Sequence, residues 1–83
     1  MSMIKRYSQD ADTVEIKAVA VARVEDSRAC LAALAELFQE CGRLAAEYPD
    51  PARVAEMLVE DVTETFQAER WNIRHQLAGQ VAA

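Results

Sequence analysis

Glycine and proline occur only twice each in 83 residues, too few turn-forming positions for a sandwich or barrel of short strands. Basic residues are also scarce: nine Lys and Arg stand against 14 Asp and Glu, for a formal net charge of −5. A broad surface for phosphate backbones is not expected from that balance. No apolar run approaches the roughly 18 residues of a membrane span. The opening Met1-Ser2-Met3-Ile4-Lys5-Arg6 lacks the apolar stretch of a secretory signal. These absences predict a cytoplasmic protein with neither membrane nor direct nucleic-acid contact. An apolar share of 52% excludes a disordered chain. Nothing in the composition names an activity; what it specifies is an architecture and a surface.

The strongest punctuation is central, at Tyr48-Pro49-Asp50-Pro51. A residue before proline is pushed out of the α region, so a helix should end near Glu47. Asp50 then supplies a capping oxygen and Pro51 a ring whose missing N–H is not needed at the first helical position. The spacing predicts a turn over 48–51 and a second helix over about 51–78, with Gly79 stopping it or letting its last turn fray.

The N-terminal half reads two ways. Residues 13–24, TVEIKAVAVARV, are half β-branched and alternate, which suits a strand. At about 100° per residue, however, Ile16, Val19, Ala20 and Val24 share a stripe with Leu31, Leu34, Leu37, Phe38, Cys41, Leu44, Ala45 and Tyr48. Asp12 with Glu15 also fits a capping box. The favoured reading is one helix over about 12–47, roughly 54 Å long at 1.5 Å per residue. A break near Asp26-Ser27, giving three shorter helices, is a variant of it. Residues 1–11 read as a loose arm, and 12–83 as a single helical domain.

Two helices joined by so short a turn lie antiparallel. Ala45 then faces Val54, Cys41 faces Leu58, Phe38 faces Val62 and Leu34 faces Thr65. A two-helix hairpin cannot cover an apolar arc of about 160°, and a chain this short buries little surface alone. Dimerisation to a four-helix bundle is the expected completion; a groove kept for another protein and a three-helix monomer are the alternatives. In the far half, Arg23, Ser27, Glu69, Asn72 and Gln76 form a polar set in this register. It reads as a layer that fixes register or oligomeric state, with an active site and plain solvent exposure near a frayed end as the alternatives.

Reactive chemistry is not indicated. Cys30 and Cys41 lie 11 residues apart, about 16 Å along one helix, too far to bridge to each other, and read as small buried hydrophobes. His75 is the single histidine, and the position three before it is Asn72, so the Glu-x-x-His metal pattern fails. No nucleophile stands beside a base. The expectation is a protein that is not an enzyme and needs neither metal nor cofactor.

Charge is more informative. Glu47, Asp50, Glu56, Glu60, Asp61, Glu64 and Glu69 are opposed between 47 and 69 by Arg53 alone. Glu56, Glu60 and Glu64 recur at i, i+4 and i+8, where like charges oppose helix formation. They read as a solvated face, or as a docking strip for a basic partner surface, one that handles nucleic acid being an example. Glu47, Glu56, Glu60, Asp61, Glu64 and the lone Trp71 are the candidate partner-binding residues. The functional expectation is a small acidic interaction protein, bacterial or phage in character, acting as inhibitor, adaptor or regulator. The alternative is a self-assembling structural subunit. In length, helical hairpin architecture and Pro49-Asp50-Pro51, the chain looks like the needle subunits of type III secretion systems, which implies open-ended self-assembly. In size and charge it is similar to small phage proteins that block host machinery.

Overall fold

A computed structural model describes residues 3–82 of the chain, the side chains at 78 and 80–82 apart. It contains three helices, α1 (Met3–Ala22), α2 (Ser27–Ala45) and α3 (Pro51–Ala82), and no strand among the described residues. Residues 13–22 are therefore helical. Three expectations need correction: the single long helix breaks at 23–26, residues 3–11 are helical rather than a loose arm, and the second helix continues through Gly79.

The break has a local cause. Arg23 N–H donates to Ala20 O and Val24 N–H to Val21 O, tightening the end of α1 into i→i−3 bonds. Asp26 then adopts an extended conformation at φ −70°, ψ 122° and its side chain accepts from Ala29 N–H at 2.8 Å. Asp26, which intrudes on an apolar stripe if the helix is continuous, is thus the N-cap of a new one. The Val21 carbonyl accepts in addition from the Cys30 thiol at 3.4 Å, and the Ala22 carbonyl from Arg70 at 3.3 Å.

The N-terminal residues form helix because their small apolar side chains recur along one face. Ala11, Val14, Ala18 and Ala22 are buried, and the half-buried Tyr7 extends the same line. This face differs from the expected one: Ile16 is 72% exposed. Once the chain breaks, α1 is free to rotate out of phase with α2.

The other junction follows the sequence closely. Asp50 caps α3, accepting from Arg53 N–H through its side chain and from Val54 N–H through its carbonyl, and Pro51 is the first helical residue. Gly79 has no positive φ, so it supplies no left-handed cap. In an exposed helix it costs about 1 kcal/mol without ending it.

Interhelical contacts give the directions. Arg6 meets Glu47, Asp10 meets Tyr48 and Lys17 meets Glu40, so α1 and α2 run oppositely. Tyr7 meets Asp61 and Arg23 meets Glu69, so α1 and α3 run the same way. The core is shared by all three: Ala11, Val14 and Ala18 from α1, Leu37 and Cys41 from α2, Leu58 and Val62 from α3. The chain's own N-terminal helix thus packs on the α2–α3 seam, where the sequence suggests a second copy. At 32 residues against 20 and 19, α3 outruns its neighbours, and the molecule measures 51 × 25 × 16 Å.

Candidate interaction face

The acidic residues of α3 divide into two groups. Glu56, Glu60 and Glu64 are exposed, and among the described residues none of them is ion-paired. Asp61 is different. It is half-buried and accepts a hydrogen bond from Tyr7 Oη at 3.2 Å, which makes it a contact between α1 and α3. Glu47 is also engaged, in an ion pair with Arg6. Of the expected strip, the free part is Glu56, Glu60 and Glu64.

Helix α1 enlarges the acidic face from the N-terminal segment. Asp12 and Glu15 line a shallow groove of about 420 Å³ with Ile16, Val19 and Thr65. Burial, then repulsion from Asp61 and Asp12, raises the Glu15 pKa above its ordinary value. Burial also pushes the Tyr7 phenol up to about 12, followed by Asp61, Glu15 and Glu60. Carboxylates of two helices thus act on one another across a face that also offers exposed Ile16. The sequence contains a signal for this: Tyr7, Ala11, Val14 and Ala18 are spaced four, three and four apart, so the apolar line runs on into the segment read as an arm.

Trp71 lies on the exposed side of α3, 58% accessible, with its ring stacked on His75 at 3.5 Å between centroids. The expected polar layer is assembled only in part. Arg23 Nε donates to Glu69 Oε1 at 3.0 Å, with the Glu69 side chain 18% exposed and that of Arg23 66%. Ser27, Asn72 and Gln76 are exposed, and no polar residue is buried among the described ones. The reason is the corner at 23–26: it turns Ser27 into the first residue of α2, while α3 carries Asn72 and Gln76 past the end of α1.

Both cysteines are buried and free. Burial raises the Cys41 thiol pKa, with Glu40 adding to the effect, so this sulfur is held as the unreactive thiol. No group of three potential metal ligands occurs among the described residues. Among them, too, no helix is long and apolar enough to cross a membrane.

Compared with known proteins, the chain matches no family model, no curated protein and no solved structure.

Proposed function

We propose that this is a non-enzymatic, cytoplasmic interaction protein that docks its acidic α1–α3 face on a basic partner surface, as an inhibitor, adaptor or regulator. The observation that carries this reading is the free Glu56, Glu60 and Glu64 row. Carboxylates spaced this way weaken their own helix slightly, yet among the described residues no lysine or arginine pairs with them. The adjoining groove adds Asp12 and Glu15 at its rim and Ile16 as an apolar contact. A basic surface carrying an apolar side chain complements both. Surfaces that normally hold nucleic acid have this charge, and an acidic face can occupy them without itself contacting phosphates.

Binding to an immobilised lysine-rich peptide tests the reading, with the wild type compared against Glu60→Gln/Glu64→Gln at low salt and at about 0.5 M salt. Retention that weakens steeply with salt and with the double substitution supports it. Retention indifferent to both, or none at low salt, overturns it. A second reading, the self-assembling structural subunit, draws support from exposed Leu31, Trp71 and Leu77.

A further inference from the structure

The outward side of α3 carries Glu60, Glu64, Gln67, Trp71 and Arg74, at steps of four, three, four and three residues. That spacing presents one continuous seam to another helix. All five residues are exposed. The seam changes sign along its length: Glu60 and Glu64 stand at one end, Arg74 with the adjacent Arg70 at the other, and no acid follows Glu69. Within one chain, Glu60 and Arg74 lie about 21 Å apart along the helix axis and cannot pair.

An antiparallel copy of α3 removes that separation. With Gln67 opposite Gln67 of the second copy, Glu60 of each chain is level with Arg74 of the other. A parallel copy sets Glu60 against Glu60 and Arg74 against Arg74, so charge selects the antiparallel arrangement. We infer that the outward face of α3 binds a second copy of this chain, two helices pairing antiparallel about a two-fold axis at Gln67, with Trp71 as the apolar anchor on either side. Such an interface is isologous and closes at two chains. The inference rests on the reading of the acidic face as a docking surface. It adds that the chain itself is an occupant, so that a basic partner and a second copy compete for Glu60 and Glu64.

The test uses the full chain and two charge reversals, Glu60→Arg and Arg74→Glu. Both positions are exposed and outside the core, and helical circular dichroism verifies that each variant folds. Sedimentation equilibrium gives the mass. Trp71, the chain's single tryptophan, reports burial through its emission maximum. The wild type is expected to dimerise at low salt with blue-shifted emission, and to dissociate in about 0.5 M salt as exposed charges are screened. Each reversal alone is expected to weaken dimerisation about tenfold, since the symmetry alters two ion pairs at once. Mixing the two variants is expected to restore it, because the carboxylate introduced at position 74 of one chain then meets the guanidinium introduced at position 60 of the other. A wild type monomeric at every concentration in low salt, or a dimer that both reversals leave intact, overturns the inference. So does a mixture that fails to recover. A monomer that still binds the lysine-rich peptide overturns this inference alone. A dimer with the expected rescue that ignores the peptide overturns only the heterologous docking reading.

Discussion

Tyr48 donates its phenolic hydrogen to Asp10 at 2.6 Å, joining the connection between α2 and α3 to the second turn of α1. The Tyr48 ring also meets Tyr7 edge-on, with centroids 6.4 Å apart, and receives the Arg6 guanidinium at 5.5 Å. Residues far apart in the chain are thus gathered at one end of the bundle, and they hold the N-terminal helix in place. Tyr48→Phe keeps the ring and removes the donor. A hydrogen bond to a charged acceptor contributes about 1.5–3 kcal/mol, and partial exposure places the expected loss at the lower end of that range. Urea denaturation followed by circular dichroism measures it.

Alkaline titration addresses the same two tyrosines. Burial, then the bond to Asp10, pushes the Tyr48 phenol up to about 12, against the opposing pull of Arg6. Tyr7 is likewise raised to about 12. A folded-state pKa above the unfolded value of about 10 means that the folded chain holds the proton more tightly. That contribution is intact below about pH 10 and is lost as pH climbs towards 12. Thermal stability should fall across this window, and the fall should be shallower in Tyr7→Phe/Tyr48→Phe.

Glu15→Gln should stabilise the protein at neutral pH. Because its folded pKa is raised, the fold favours the protonated carboxyl, and ionisation at neutral pH works against folding. The amide is neutral at every pH and escapes repulsion from Asp61 and Asp12. A higher melting temperature at about pH 7, shrinking towards zero near about pH 3 where Glu15 is itself protonated, is the expected pattern in calorimetry.

Asp26→Ala should cost about 0.5–2 kcal/mol by removing the side chain that accepts from Ala29 N–H. The midpoint of chemical denaturation checks it. An unchanged midpoint would show that the corner is held by the Cys30 and Arg70 bonds to the α1 carbonyls instead.

Gly42→Ala should act in the opposite direction. Gly42 lies within α2 without a positive φ, and a methyl group there meets nothing within 4 Å. Alanine in a helix interior is favoured over glycine by about 0.8–1 kcal/mol, which for a domain of this size raises the melting temperature by about 4–8 °C. A thermal melt followed by circular dichroism reads the shift.

The sequence was legible where one residue type has one structural use. Asp50 and Pro51 define the start of α3, and Cys41, Leu58 and Val62 fall in the core because the seam between α2 and α3 keeps a single phase. The free row at Glu56, Glu60 and Glu64 could be read because these acids recur four apart with no base between them. The corner at 23–26 was harder. It contains neither glycine nor proline, and its one signal, Asp26, also fits a polar interruption of a longer helix. Extending the phase of α2 backwards across that corner assigns α1 the wrong face, which is why Ile16 is exposed where burial was expected. The layer through Arg23, Ser27, Glu69, Asn72 and Gln76 depended on the same continuous helix, and only Arg23 with Glu69 came together.

The long third helix has a hydrodynamic consequence. A compact domain of 83 residues has a radius of gyration of about 12 Å, whereas this chain reaches 14.7 Å. A rod-like monomer sweeps out more solvent as it tumbles than a sphere of equal mass. On a column calibrated with rounded proteins it will elute early, at a position that imitates a larger species. Elution volume alone therefore confuses one extended chain with two, and sedimentation or scattering, which weigh rather than size the particle, separates them.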